Sequence, residues 1–255
     1  MTTTTLPTPP GSPHDPGPAL VVVAHGSRDP RALRTVRALL DQVRALRPGL
    51  PVHLGHIELN EPLLPDTLAA LGDREAVLVP LLLSRGYHVK RDIPEMAAAS
   101  PVRARVAAPL GPHPLLVDAL HARLTEAGWR RGRGDAVVLA AAGSRDPDSA
   151  VDTGRTARHL AARLGVPVVP AYASTAAPAV PDAIAALTAA GHRRIAVASS
   201  FTAPGRFATE TAAAAPWIAA APLGTHPAMA RLILHRYEEA APATAPAAPR
   251  ELASA

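Results

Sequence analysis

His25, His88 and Glu58 are the residues of this sequence whose types and settings suit chemistry. His25 lies in Ala24-His25-Gly26-Ser27-Arg28-Asp29-Pro30. His88 lies in Ser84-Arg85-Gly86-Tyr87-His88-Val89-Lys90-Arg91-Asp92-Ile93-Pro94. A neutral imidazole binds a borderline divalent ion or accepts a proton, and a carboxylate does either. Two imidazoles and one carboxylate at a common rim suit cobalt or ferrous iron. The competing reading of the first stretch is a phosphate-type anion loop, with Gly26-Ser27-Arg28 ahead of a helix N-terminus.

The phrase around His25 returns as Ala141-Ala142-Gly143-Ser144-Arg145-Asp146-Pro147, with Ala142 in place of the histidine. The chain is therefore a tandem repeat, and the histidine is a residue the fold can do without. Ser174 aligns near Glu58, and Phe207 in Pro204-Gly205-Arg206-Phe207 takes the place of His88. Further on, Leu64–Leu71 resembles Val180–Leu187, and Ala108–Pro114 resembles Ala221–Pro227. A structural trio would be kept in both copies; a catalytic one need exist only once.

Strands and helices in alternation must position these groups. Ala19–Ala24 suits a strand buried on both faces. Asp29-Pro30 supplies an N-cap and a first-turn proline for a helix to about Leu46. Val52–Leu59, Ala76–Leu83 and Val102–Ala107 read as further strands. Helices are expected from Pro65 to Leu71, from near Ile93-Pro94, and from His113 to Gly128. The second unit repeats this with strands Asp135–Ala141, Val166–Ala171, Arg194–Phe201 and Trp217–Ala221. Its helices are Pro147–Leu164, Pro181–Ala190, an Ala-rich segment, and His226–Glu238.

The expected fold class is α/β: two tandem flavodoxin-like domains, 19–129 and 135–239, each a mainly parallel four-stranded sheet flanked by helices. They join near Trp129–Gly134. Strand order 2-1-3-4 would make the first and third strands neighbours. His25 and His88 then face each other across the switch point, with Glu58 ending the second strand.

Composition sets outer bounds. The 255 residues suffice for one large domain or two of ordinary size. A net charge of +5, with no basic run interleaved with aromatics, gives no ground for a nucleic-acid partner. Arg130, Arg131 and Arg133 read as a solvated linker. With no cysteine, disulfides, iron–sulfur clusters and thiolate zinc sites are excluded, in keeping with an expected cytoplasmic location. No apolar run approaches the ~20 residues of a membrane span. Residues 1–18 are expected to be a disordered leader and 240–255 a disordered tail. His113 and His226, each in Gly-x-His-Pro, read as helix caps. His56 flanks the second strand within reach of the site.

The His-Gly-Ser-Arg-Asp-Pro strand end, the segment from Glu58 to Pro62, and Gly-Tyr-His-Val-x-x-Asp-Ile-Pro together resemble the class II tetrapyrrole chelatases, and among them the sirohydrochlorin chelatases. The resemblance spans about Leu20 to Glu238. It implies insertion of cobalt or ferrous iron into sirohydrochlorin, on the routes to cobalamin or sirohaem. It implies that His25, His88 and Glu58 handle the metal and the pyrrole protons. Ser27, Arg28, Lys90 and Arg91 would hold the substrate's carboxylates. The divalent ion is then a substrate, with no tightly bound cofactor. The expected partners are the tetrapyrrole and the metal ion, with no nucleic acid and no membrane. The expected state is a monomer whose halves form a pseudo-dimer, the second half supplying the opposite wall of the cleft. A metal or tetrapyrrole carrier, and a phosphoryl-transfer enzyme with a nucleophilic histidine, are the alternatives. The latter usually has an arginine before the histidine, where this chain has Ala24.

Overall fold

Every residue of Ala19–Ala24 (β1) is buried, so this strand must lie inside a sheet covered on both faces. The computed structural model, which describes residues 17–241, shows that arrangement. β2 (Val52–His56) and β3 (Ala76–Pro80) pair with β1 on either side, and β4 (Ala104–Val106) pairs with β3. All pairs are parallel and the order is β2-β1-β3-β4. The second sheet repeats it as β6-β5-β7-β8, from β5 (Asp135–Ala141), β6 (Val168–Tyr172), β7 (Arg194–Ser199) and β8 (Ile218–Ala219).

Among the described residues eight α-helices flank the strands: α1 (Pro30–Leu46), α2 (Leu64–Ala69), α3 (Ile93–Ala98), α4 (Pro114–Glu126), α5 (Pro147–Leu164), α6 (Val180–Ala189), α7 (Arg206–Ala213) and α8 (Pro227–Ala240). Side chains alternate across β1. Leu20 and Val22 face the core shared by both halves, while Val21 and Val23 face Leu64, Leu68 and Ile93 beneath α2 and α3. On α1, Val36, Leu39, Leu40 and Val43 recur at helical spacing and are buried as one stripe. That stripe packs on α8, and α4 packs on both α5 and α8. One hydrophobic core thus runs from Leu20 through Leu120 and Leu160 to Ile233, joining the halves through a shared helical layer.

The caps follow the sequence. Asp29 accepts from the Arg31 N–H and Asp146 from the Asp148 N–H. His113 and His226 cap α4 and α8, their Nδ1 atoms accepting from the N–H groups of Leu115 and Ala228. Six of the expected strands are longer than the observed ones, and two of these lead to the site residues. The chain expected to stay extended to Leu59 leaves the sheet after His56. Leu59 takes a positive φ of 67°, and the Asn60 N–H closes on the Glu58 carbonyl at 2.8 Å. Likewise β3 ends at Pro80, before the loop that leads to His88. Pro18, expected to be part of a disordered leader, accepts a 2.7 Å hydrogen bond from the Tyr237 hydroxyl. Ala240, expected to open the tail, ends α8; residues 1–16 and 242–255 lie outside the described residues. Among the described residues no helix is long and apolar enough to cross a membrane.

Burial pushes the imidazoles of His53, His56, His113, His121 and His226 below the ordinary histidine value of 6.5. The unfolded chain therefore binds more protons than the folded one once the pH falls to that range, and stability must fall with it. The melting temperature is expected to decline from about pH 7.5 to pH 5.5. Circular dichroism melts across that window check this; a flat or rising trend refutes it.

Candidate active site

The parallel ladder of β1 and β2 continues beyond the strands. The N–H of Ile57 donates to Ala24 O at 2.9 Å, and that of Glu58 to His25 O at 3.0 Å. His25 and Glu58 are thereby neighbours at the carboxyl end of the sheet. His25 Nε2 lies 3.6 Å from Glu58 Oε1, an ion-pair distance rather than a hydrogen bond. Both side chains are about half exposed, at 42% and 54%.

After β3 the chain enters one π-helical turn, His88–Asp92, that runs into α3. The sequence reading began a helix only at Ile93-Pro94. Pro94 has no N–H to give to the carbonyl four residues back, and its ring crowds that carbonyl. A wider turn relieves the conflict: the Ile93 N–H reaches back five residues to His88 O. This turn brings His88 to His25. The rings meet edge to face, with centroids 4.8 Å apart and planes at 86°.

Asp92 follows His88 by one turn, and its carboxylate is hydrogen-bonded to His88 Nδ1. The carboxylate only accepts, so the proton sits on Nδ1 and the Nε2 lone pair remains free. The sequence reading missed Asp92; the His-x-x-x-Asp spacing was the available signal. On the chelatase activity that the sequence leads us to expect, Asp92→Asn should slow metal insertion by about 10–100-fold, because the amide no longer dictates the tautomer. Steady-state rates together with the imidazole nitrogen shifts of His88 check this, and an unchanged rate refutes it.

The trio meets but does not close. Among the described residues no three His, Cys, Asp or Glu side chains are grouped so as to hold a metal ion. His56, which the sequence placed within reach, is 2% exposed and bonded through Nδ1 to the Pro62 carbonyl. It belongs to the core.

The four expected substrate contacts separate. Ser27 serves its own loop: its hydroxyl accepts from the Asp29 N–H, and its N–H donates to Asn60 Oδ1 at 2.7 Å. Arg28 and Arg91 are exposed and make no ion pair among the described residues. Lys90 instead reaches the second half, 2.8 Å from Asp146 and 2.8 Å from Asp148, and these carboxylates raise its pKa. The anion-loop reading fares poorly. The hydrogen bond from Arg31 holds Asp29 down at about 2, so a full negative charge already caps α1.

Close approaches relate the two copies. A Cβ built on Gly26 would meet the Glu58 carbonyl, and one on Gly143 the Ser174 carbonyl. A Cβ on Gly86 would lie 3.4 Å from Ser144 Oγ, and one on Gly205 3.7 Å from Ser27 Oγ. These pairs place Ser174 where Glu58 stands and Phe207 where His88 stands, so the second copy has none of the trio.

Two parallel sheets in one chain, with an imidazole pair at the carboxyl end of one and, among the described residues, nothing equivalent on the other, define a tandem chelatase-like fold. The family model described as CbiX matches residues 19–127 and 136–240, nearly all of both halves. The chain belongs to the CbiX family. It is 36% identical over 81 residues to the sirohydrochlorin cobaltochelatase of Methanococcus aeolicus, covering 31% of this chain and 57% of that protein. It is 32% identical over 172 residues to the sirohydrochlorin ferrochelatase of Bacillus subtilis, covering 63% of this chain and 64% of that one. The chain thus spans less than two thirds of the length of these relatives. The structure of SirB from Bacillus subtilis with Fe3+ superposes with a TM-score of 0.73 at 25% identity, covering 88% of this chain and 96% of that one.

Proposed function

We propose that this protein is a sirohydrochlorin chelatase that inserts a divalent metal, cobalt or ferrous iron, into the tetrapyrrole. The observation that carries the reading is the meeting of His25, His88 and Glu58 at one sheet end of one copy only. Insertion exchanges one divalent ion for two pyrrole protons. His88, oriented by Asp92, offers a fixed Nε2 to the incoming ion. His25 and Glu58 accept the protons, and the exposed Glu58 passes them to water. An open donor set suits an ion that must leave with the product, because a closed cage would retain it.

The rim fits a flat, acidic macrocycle. Leu59 and Tyr87, adjacent in sequence to Glu58 and His88, are 48% and 63% exposed and offer apolar contact. Arg28 and Arg91 supply positive charge for carboxylates, and Ser27 shapes the loop that carries Arg28. The ion is substrate, and no tightly bound cofactor takes part. The proposed state is a monomer, supported by the packing of α1 and α4 against α5 and α8 within one chain.

The test is an absorbance assay of sirohydrochlorin with cobalt, ferrous iron and nickel in parallel. Product exceeding one equivalent per protein is expected for cobalt or iron. Saturation at one equivalent would mean a carrier, and no metallated product with any ion would overturn the reading.

A further inference from the structure

The segment that carries His88 is held by the other half of the chain. Asp152 on α5 is 1% exposed, and its only ion-pair partner among the described residues is Arg85. The Arg85 backbone N–H and Nε both donate to Asp152 Oδ2 at 2.9 Å, and Nη2 donates to Oδ1 at 2.7 Å. Arg85 Nη1 also reaches Asp148 at 3.2 Å, and the Ser84 hydroxyl bonds the Ser149 hydroxyl at 3.0 Å. With Lys90 on Asp146 and Asp148, the stretch from Ser84 to Lys90 is bonded to α5 and its cap on both sides of His88.

The mirror contact has none of this. Thr35 and Ala32 of α1 stand where α5 has Asp152 and Ser149, and Pro204 stands where Arg85 would be. The copy that lacks the site histidines thus supplies the acidic side of the clasp, and the copy that has them receives it. A buried carboxylate that accepts two guanidinium N–H groups and the backbone N–H of one arginine tolerates one register only. Burial raises the Asp152 carboxyl, but the Arg85 hydrogen bonds outweigh that and hold it below the ordinary range, so it is charged at neutral pH.

We propose that Asp152 is a positioning residue for metal insertion: through Arg85 it holds the His88 turn in place, and this is a task of the second half. The inference rests on the chelatase reading for its catalytic consequence, but the clasp can be tested without it. Asp152→Asn keeps the shape of the side chain and removes the charge that fixes Arg85, which is itself partly exposed and can turn to water. Three measurements on the full chain decide the matter. Hydrogen exchange is expected to quicken at the amides of residues 85–92 and to stay unchanged at 203–209. Titration with cobalt alone, read by its visible absorption, is expected to show about tenfold weaker binding, and kcat for insertion to fall about tenfold with little change in KM for the tetrapyrrole. Thr35→Ala, at the mirror position, is expected to alter none of these. Arg85→Lys, which keeps charge but not the fork, gives the same test with Asp152 left intact, and is read in place of Asp152→Asn if that variant melts below the assay temperature. Unchanged exchange at 85–92 overturns the clasp; quickened exchange with parental cobalt affinity and kcat overturns the positioning role. A parent protein that inserts no metal overturns the chelatase reading instead, and leaves the exchange result to stand alone.

Discussion

His25→Ala and His88→Ala are each expected to lower metal insertion by about a hundredfold or more while leaving the melting temperature almost unmoved. Both imidazoles are partly exposed, with side chains 42% and 35% accessible, so truncation opens no core cavity. In the proposed mechanism their loss removes an ion ligand or a proton acceptor from a set that has no spare member. Ala142→His in the second half supplies no rescue, because Ser174 and Phe207 stand where its partners would be. Steady-state insertion rates and melts of the same preparations check the claim. Parental activity in either alanine variant would end the assignment of that histidine.

Gly26→Ala is expected to act on fold and site together, and the mirror variant Gly143→Ala on the fold alone. Gly26 has φ +105°, and a Cβ there would lie 1.8 Å from the Glu58 carbonyl oxygen. Gly143 has φ +89°, with the Ser174 carbonyl oxygen 2.0 Å from its Cβ position. In each copy the backbone leaves the first strand with no room for a methyl group, and the obstacle is backbone that cannot swing aside. Each variant is expected to cost about 2–4 kcal/mol, or roughly 5–10 °C in melting temperature. The consequences for activity differ. Relief of the clash at Gly26 displaces Glu58 and the His25 ladder bond. Relief at Gly143 moves Ser174, which carries no proposed chemistry. Insertion per folded molecule should therefore collapse in the first and persist in the second. Equal activity in the two variants would show that Glu58 need not stay where the ladder holds it.

These two predictions mark what was legible in the chain. The repeated Gly-Ser-Arg-Asp-Pro phrase, with one histidine exchanged for alanine, separated what the fold requires from what the site requires. The strands and the helix caps followed from apolar runs, Asp-Pro starts and Gly-x-His-Pro starts, all of them local signals, and the strand order from the flavodoxin-like class that this alternation implies. The exit of the chain after His56 was not legible, because the apolar character of Ile57 and Leu59 matches a strand while the turn depends on Leu59 adopting a positive φ. The π turn was missed for a similar reason. Pro94 marks a boundary, but whether the preceding residues coil or stay extended depends on what receives them. The sequence neighbours of Lys90 are site residues, and they point it at the substrate. Its partners, Asp146 and Asp148, are more than fifty residues away.

By itself the sequence determined the two α/β units, their internal order, and the one copy that bears His25, Glu58 and His88. Those are matters of local periodicity and of comparison between repeats. Only the tertiary structure decided that Asp92 orients His88 and that Arg85 and Lys90 tie its turn to the other half. It also decided that, of the three expected cationic contacts, Lys90 is ion-paired while Arg28 and Arg91 make no ion pair among the described residues. Ion pairs and tautomers depend on which groups meet in space, and a carboxylate 67 residues from its arginine leaves no periodic trace in the chain.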